Sequence, residues 1–291
     1  MIGRDAGITQ NLTLVIRDDD ICHATPIWAM AFLREQVWAA RPINFSVIPY
    51  TRPDYFLKSA SAFCTDEADF VWNNQPLSAY LESVHRDGLL GLAMHGWTHQ
   101  SQVGRLDTRE FSTLNVPLLE TVVSGFDWFD SVVGYRMFVP PHNDIHCAAE
   151  AYLHAHNISI CRSIRDDEVT RLADKRGATV NRSEAKRILG IQPHGWPFTL
   201  FQSLIFNKQK LRSDQADPVE LSRCVLAVSG LHGLGVLTFH WWDFFFADGK
   251  PDFEFIQFVQ RFFCAIEDCV AVTYAHYGDL IDQLPAHPST E

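Results

Sequence analysis

Short, continuously apolar runs that alternate with longer segments of helical character constrain this chain more than any other feature. The runs are Leu12–Arg17, Ile43–Pro49, Leu89–His95, Tyr135–Pro140, Ile158–Ser163, Arg187–Pro193, Gly235–His240 and Val270–Tyr274. Most are apolar at successive rather than alternate positions, as expected of strands that are covered on both faces. The pattern therefore predicts βα units around a parallel sheet.

The segments between these runs have helical character. We predict helices over Pro26–Ala40, Leu77–Asp87, Thr108–Val133, Asp144–His156, Pro218–Leu231 and Phe253–Ile266. Asp217 before Pro218 is a typical helix start, and Thr108 with Glu110 predicts another. The polar stretches Thr51–Pro76 and Glu168–Lys186 are predicted to be loops or insertions. At 291 residues, we expect one domain with its core at about residues 12–285.

Charge and composition exclude several classes of function. The formal net charge of −11 opposes the positive field that nucleic acid or an anionic membrane surface would require. No stretch approaches the roughly 20 apolar residues of a membrane span, and the start of the chain lacks the pattern of a signal peptide. We therefore expect a cytoplasmic protein. The seven cysteines include no CxxC pair, so a thiolate zinc site is not indicated.

Polar residues collect where the predicted strands end. Asp18–Asp20 follow the first run, His95 ends the third, His142 and Asn143 follow the fourth, and His240 ends the seventh. In parallel α/β folds, functional groups gather at the carboxyl ends of the strands. We therefore expect these groups to share one mouth, in a closed barrel or an open doubly wound sheet.

Two segments have the residue types of a metal site. In Arg17-Asp18-Asp19-Asp20, three adjacent carboxylates repel one another, which suits either a solvated, helix-capping turn or a position beside a cation. In His95-Gly96-Trp97-Thr98-His99, the two imidazoles can share one divalent ion if His99 lies in a first helical turn. Histidines at this spacing are also often simply solvated.

Two further segments could line a site. Pro140 and Pro141 predict an extended exit from a strand, after which His142 and Asn143 either line the site or belong to a rigid loop. His240 could act as an acid or base with aromatic walls. Trp97, Trp241 and Trp242 could form a platform for a flat ligand, although tryptophan is also a common core residue.

In this order, the four segments resemble the polysaccharide deacetylases, the NodB-homology or carbohydrate esterase family 4 group, over roughly residues 12–285. The resemblance implies a distorted, seven-stranded TIM-like barrel. It implies that Asp20, His95 and His99 bind one divalent metal, that Asp19 is the general base and that His240 is the general acid. Phe138–His142 resembles the proline-containing third motif of the family.

The chain departs from this family at two positions. Val139 stands where the family has an arginine that positions the base, and Arg17 or Arg136 could replace that arginine. No clear counterpart exists for the aspartate that braces the acid histidine in the family. Asp166, Asp167 or Asp243 could serve instead.

The resulting hypothesis is a metal-dependent hydrolase that removes an N-acetyl group from a sugar or related small molecule. Zinc is the expected metal, with Co, Ni, Mn or Fe as alternatives. Substrate contacts are predicted for Trp97, Pro141, His142, Asn143, Trp241 and Trp242. Two other readings stay open: a metal-free glycoside hydrolase that uses Asp19 with Asp243, and a degenerate barrel that only binds a glycan. The oligomeric state is not predicted.

Overall fold

The computed structural model describes residues 11–52, 68–99, 109–162, 200–201, 204–229 and 234–281. The strands found there are β1 (Asn11–Ile21), β2 (Ile43–Val47), β3 (Tyr50–Thr51), β4 (Asp69–Phe70), β5 (Leu90–His95), β6 (Met137–Val139), β7 (Ser159–Cys161), β8 (Leu200–Phe201), β9 (Leu204–Ile205), β10 (Leu234–His240) and β11 (Ala271–Tyr274). The α-helices are α1 (Ile27–Leu33), α2 (Gln75–Arg86), α3 (Val116–Val133), α4 (Cys147–Ala155), α5 (Lys208–Ser213), α6 (Pro218–Ser229), α7 (Phe253–Glu267) and α8 (Tyr277–Ile281). None of the helices in this part of the chain is long and apolar enough to span a membrane.

Seven of the eight predicted strands correspond to observed ones, and the run Arg187–Pro193 and the loop Glu168–Lys186 lie outside the described residues. Three boundaries differ in ways that matter. β1 continues to Ile21, so the three aspartates lie within the strand rather than after it. The α-helix that begins the predicted segment Pro26–Ala40 ends at Leu33 and continues as a π-helical turn, Arg34–Trp38. Helix α3 begins only at Val116, where Asn115 caps it by accepting from Leu118 N.

The main sheet is parallel, in the order β8-β7-β6-β5-β2-β1-β10-β9, and β11 also pairs with β1. Curled and flanked by helices, it forms a half-barrel. The α/β barrel-like fold agrees with the prediction, but in the part of the chain that the structure describes the sheet is not a closed seven-stranded barrel. The strands at its two ends, β8 and β9, do not pair with each other among the described residues. β3 and β4 form a separate antiparallel pair.

Burial on both faces of the sheet explains why the strand sequences are continuously apolar. Every residue of β2 and β5 is buried, as is nearly all of β1. Trp38 packs edge-on against three phenylalanine rings: Phe239 of β10, Phe244 just after β10, and Phe263 of α7. The ring centroids are 5.1, 5.4 and 6.4 Å away, respectively. This aromatic cluster anchors the carboxyl end of β10, where His240 lies.

Asn44 joins the strands at the centre of the sheet. Along one edge of β1, β11 pairs with the amino-terminal half and β2 with the carboxyl-terminal half. Asn44 Nδ2 donates to Ile16 O at 3.1 Å and to Ala275 O at 3.3 Å, and Asn44 Oδ1 accepts from Tyr277 N at 2.9 Å. The fully buried amide thus satisfies backbone groups where the sheet changes partners.

We expect Asn44→Ala to lower the free energy of unfolding by about 3 kcal/mol, because several buried backbone groups would lose their partner. Urea denaturation measures this change. Asn73→Ala is the matched control: Asn73 is exposed and its amide donates only to Asp69, so its loss should cost less than about 0.5 kcal/mol. Equal, small effects in both variants would contradict this role for Asn44.

Candidate functional site

The carboxyl ends of β1 and β5, which lie on either side of β2, bring the predicted metal ligands together. Asp20 lies near the end of β1, and His95 is the last residue of β5. His99 follows a bend at residues 97–98 and has φ +57°, so the two imidazoles come together without the helical turn that the sequence interpretation required. The two imidazoles converge because the chain reverses at Gly96, which has φ +67°. Ligand atoms of Asp20, His95 and His99 all lie within 4.8 Å of one another.

The distances within this group suit a divalent ion. Asp20 Oδ1 lies 3.4 Å from His95 Nε2 and 3.3 Å from His99 Nε2. Two ligand atoms that are each about 2.1 Å from a tetrahedral ion are about 3.4 Å apart. Asp20 Oδ1 is buried and accepts no hydrogen bond from any described residue. A buried, unsatisfied carboxylate oxygen facing two imidazole nitrogens fits a metal ion in donor type and spacing.

Surrounding groups orient two of the three predicted ligands, His95 and Asp20. His95 Nδ1 contacts Val139 O at 2.9 Å, so a proton on Nδ1 leaves Nε2 free to coordinate. Trp242 Nε1 donates to Asp20 Oδ2 at 3.0 Å, and Trp241 Nε1 donates to Asp20 O at 3.0 Å. Asp20 itself has φ +69°, an unfavourable conformation for a non-glycine residue. Such backbone strain persists where the surroundings hold it in place, commonly at functional sites.

The protonation equilibria of the ligands depend on burial and on one another. Burial lowers the pKa of His99 to about 4, so its imidazole is neutral and able to coordinate at neutral pH. Burial acts to raise the pKa of Asp20, but His99, His95 and His240 outweigh it and hold that pKa below its usual range. Asp20 is therefore ionised. The site combines one carboxylate with imidazoles and is nearly closed to solvent, since His99 is only 16% exposed.

Asp19 is held by Arg17, one of the two arginines proposed from the sequence to replace the missing one. Arg17 Nη2 donates to Asp19 Oδ2 at 2.7 Å and to Asn143 Oδ1 at 3.1 Å. Arg136 instead pairs with Asp130 at 2.6 Å. Burial acts to raise the pKa of Asp19, but Arg17, His95 and His240 lower it overall. Asp19 Oδ1 accepts no hydrogen bond from the described residues and remains available.

Arg17 is fully buried, and two further side chains lie behind it. Arg17 Nη1 donates to Cys161 Sγ at 3.2 Å, and Tyr277 Oη donates to the same sulfur at 3.3 Å. The guanidinium is therefore held between Asp19, Asn143 and Cys161. Its orientation is set by β7 and α8 as well as by its own strand.

His240 lies beside Asp19, since the two residues are direct partners in the β1–β10 register. Its Nδ1 is buried and has no hydrogen-bond partner among the described residues, and the same holds for Asp243 Oδ1. Burial raises the pKa of Asp243, and the nearby His240 opposes that shift. Of the three aspartates proposed from the sequence to brace this histidine, Asp243 is therefore electrostatically coupled to it, while Asp166 and Asp167 lie outside the described residues.

The pKa of Asp18 is shifted in the opposite direction from those of its two neighbours, Asp19 and Asp20. Burial and the adjacent charge of Asp19 raise its pKa well above the ordinary value, against the effect of the Trp241 N–H. Burial therefore favours the uncharged form of Asp18, whereas the neighbouring cationic groups favour the ionised forms of Asp19 and Asp20. The open alternative of a solvated turn is wrong, since the three residues are 0%, 2% and 5% exposed.

The predicted substrate-binding residues occupy different depths. Trp241 is fully buried, and its indole N–H donates to the backbone carbonyl of Asp20. Pro141 is buried against Gly96. Trp97 is partly buried in an aromatic cluster with Phe70 and Trp72. His142, Asn143 and Trp242 retain exposed surface beside the ligands: the His142 ring is centred 5.1 Å from that of His99. These three residues and Trp97 remain candidates for contact with a substrate.

Glu110 belongs to the site, although the sequence predicts only that it lies at the start of a helix. Its carboxylate accepts hydrogen bonds from the backbone N–H groups of Trp97, Thr98 and His99 at 2.8–3.2 Å. The contact spans eleven to thirteen residues of sequence. No local pattern signals it, since a glutamate near a helix start has the same appearance.

Comparisons with known proteins show the fold only. No family model and no curated protein matches the chain. Among solved structures, a 4-alpha-glucanotransferase from Thermococcus litoralis matches with a TM-score of 0.53 and 12% identity, over 94% of this chain and 40% of that one. A GH57-type branching enzyme from Pyrococcus horikoshii matches with a TM-score of 0.51 and 8% identity, over 96% and 71%. The chain shares the overall α/β fold of these two proteins. It spans less than half the length of the glucanotransferase.

Solved structures similar to this chain also include carbohydrate esterase family 4 domains. The Xyl-CE4 domain of a multidomain xylanase from the hindgut metagenome of Trinervitermes trinervoides has a TM-score of 0.48 and 11% identity, and the match covers 95% of this chain and 94% of that domain. Similarity at this level does not indicate the chemistry of the site.

A double-mutant cycle tests the pairing of Arg17 with Asp19. Arg17→Met alone leaves a buried carboxylate unpaired, and Asp19→Asn alone leaves a buried guanidinium without its counter-charge; each should destabilise by about 3 kcal/mol or more. Because the double variant removes both charges, we expect it to be less destabilised than the sum by about 2 kcal/mol. Urea unfolding of the four proteins measures the coupling. Additive effects would show that the two charges act independently.

Proposed function

We propose that this protein is a metal-dependent hydrolase of a non-peptide C–N bond and that it removes the N-acetyl group from a sugar or a related small molecule. One observation carries the proposal: Asp20 Oδ1, His95 Nε2 and His99 Nε2 converge at the spacing of metal ligands, and Asp20 Oδ1 is buried without another partner among the described residues. The four sequence segments and their order support the same activity.

Asp20, His95 and His99 would hold the ion, and Zn²⁺ or Co²⁺ fits two imidazoles and one carboxylate. When bound, such an ion polarises a carbonyl group and acidifies water. Two neutral imidazoles and one carboxylate neutralise only part of its charge. Three protein ligands leave room for a substrate and water, as catalytic rather than structural sites do.

Asp19 is the proposed general base. Its Oδ2 is held by Arg17, so the orientation of the carboxylate is constrained, and its Oδ1 is directed to no other described group. Because the nearby positive charges lower its pKa, Asp19 is ionised at neutral pH and can accept a proton from an attacking water molecule. Its ion pair with Arg17 performs the positioning that the family's arginine performs from the position of Val139.

His240 is the proposed general acid. It adjoins Asp19 in the sheet, and its partial exposure places it at the mouth rather than in the core. Once the tetrahedral intermediate forms, an imidazolium at this position can donate a proton to the departing nitrogen. Asp243, buried beside it, is the proposed brace for its orientation.

The surface around the site suits a flat, neutral ligand. Trp242, His142 and Asn143 provide an aromatic face and hydrogen-bonding groups beside Asp20, His99 and Arg17, and Trp97 is a further proposed contact from the turn between His95 and His99. The net charge of −11 disfavours strongly anionic substrates. An acetylated sugar has an apolar ring face that stacks on aromatic side chains and an amide that can approach the ion.

Acetate release from N-acetylglucosamine and its short oligomers tests the proposal. The zinc- or cobalt-loaded protein should release acetate, and a chelator should abolish release until the ion is restored. Asp19→Asn should lower kcat by at least about 100-fold, which is the usual contribution of a general base. Asp248→Asn, at an exposed aspartate that pairs with Lys250, is the control and should leave kcat unchanged.

Other outcomes would support the remaining readings. New reducing ends that appear in the presence of a chelator would replace the proposal with a metal-free glycoside hydrolase that uses Asp19 and Asp243. Ligand binding that is equal in the wild type and in Asp19→Asn, without any turnover of the acetylated substrates, would indicate a binding barrel.

A further inference from the structure

The carboxylate of Glu110 lies at the centre of the turn that carries His99. Glu110 Oε2 accepts from Trp97 N at 3.0 Å and from His99 N at 3.2 Å. Glu110 Oε1 accepts from Thr98 N at 2.8 Å and from Thr98 Oγ1 at 3.0 Å. Each oxygen therefore receives two donors, and one side chain satisfies three successive backbone N–H groups. Glu110 itself is 5% exposed.

The conformation of the turn depends on this carboxylate. Three successive N–H groups that point into one concavity form an anion-binding nest, and Glu110 fills it from within the chain. Gly96 has φ +67°, and a Cβ at this position would collide with Glu110 Oε2 and the ring of Pro141. Glycine therefore permits both the reversal of the chain after β5 and the close approach of the carboxylate.

The backbone of His99 adopts an unusual conformation. It has φ +57°, a conformation that non-glycine residues seldom adopt unless their surroundings enforce it. On the other side of the turn, Trp97 O accepts from Tyr50 N at 3.0 Å. The Glu110 carboxylate and the Tyr50 N–H thus both hold the backbone of the turn by hydrogen bonds. In this conformation, His99 Nε2 lies 3.3 Å from Asp20 Oδ1.

We propose that Glu110 is a positioning residue for the metal site: its carboxylate holds the backbone of residues 97–99 in the conformation that presents the His99 imidazole to Asp20 and His95 before an ion binds. Glu110 does not touch the ion. It acts through the turn. Without its carboxylate, the turn would have to become ordered when the ion binds, and this cost would lower the metal affinity. The inference rests on the proposed metal site.

Glu110→Gln is the informative substitution. The side chain keeps its size, but one acceptor oxygen becomes an NH₂ group that faces two donors in either amide orientation. Glu150→Gln is the matched control, because Glu150 is similarly buried at 8% exposure and its carboxylate pairs with Arg162. Both variants therefore remove one buried carboxylate charge, and only one of them disturbs the turn.

Zinc affinity is measured on the full-length, metal-free proteins by competition with a chromophoric chelator, and Co²⁺ absorption reports the ligand geometry. Circular dichroism and thermal unfolding monitor the fold. We expect Glu110→Gln to bind Zn²⁺ about 10–100-fold more weakly than the wild type, as for other residues that orient metal ligands, with an altered Co²⁺ spectrum. Glu150→Gln should bind both ions as the wild type does, even if its melting temperature falls as far.

If Glu110→Gln does not fold, Glu110→Asp, which keeps both oxygens but withdraws them by one methylene, replaces it with the same expectation of weaker zinc binding. Wild-type zinc affinity in a folded Glu110 variant would overturn the inference and leave the metal site standing. Failure of both variants to fold would also overturn it, because Glu110 would then be a general stability residue. A wild type that binds neither Zn²⁺ nor Co²⁺ would instead overturn the proposed function, and the inference with it.

Discussion

The carboxyl groups of Asp18, Asp19 and Asp20 are buried side by side in the central strand, and each lies in a different electrostatic environment. Burial and the adjacent charge of Asp19 raise the pKa of Asp18, which favours its uncharged form. Asp19 is paired with the buried Arg17. Asp20 faces two imidazoles across an opening of the size that a divalent ion requires. Burial of three adjacent charges without such compensation would be incompatible with a stable fold.

This arrangement explains how the fold and the proposed chemistry depend on each other. β1 pairs with three strands, so a displacement of the aspartates would disturb β2, β10 and β11 together. Arg17 connects Asp19 to Asn143 and Cys161, and the tryptophans that follow β10 donate to Asp20. The site is therefore built on the strand that pairs with three others in the sheet. The turn after β5 is an addition to this frame, held by Glu110.

The sequence predicted those features that depend on local pattern. Continuously apolar runs such as Leu89–His95 indicated a parallel sheet, and the placement of polar residues at strand ends indicated one shared site. The spacing of His95 and His99 indicated that their imidazoles lie together, which they do through a reversal of the chain at Gly96 rather than through a helical turn. The end of β1 was misplaced because the aspartates read as a turn, whereas tertiary compensation allows them to remain in a strand.

What could not be predicted depends on contacts between distant segments. Nothing local in Arg17 distinguishes it from Arg136 as the partner of Asp19; only the fold shows that Arg136 pairs with Asp130. Glu110 resembles an ordinary residue before a helix, and its contact with the turn at residues 97–99 appears only in three dimensions. The number of strands left a closed barrel and an open sheet both possible, and the seven-stranded barrel was implied by the family resemblance; closure depends on pairing between strands far apart in sequence, which no local pattern reveals.

Elemental analysis of the protein purified without metal-affinity chromatography tests the central claim most directly. Wild type and the variant with both His95→Ala and His99→Ala are dialysed against Zn²⁺ and then against metal-free buffer. The account predicts about one ion per wild-type chain and essentially none in the folded double variant, since two of the three ligands are removed. A wild type that retains no ion, or a double variant that retains as much as the wild type, would contradict it.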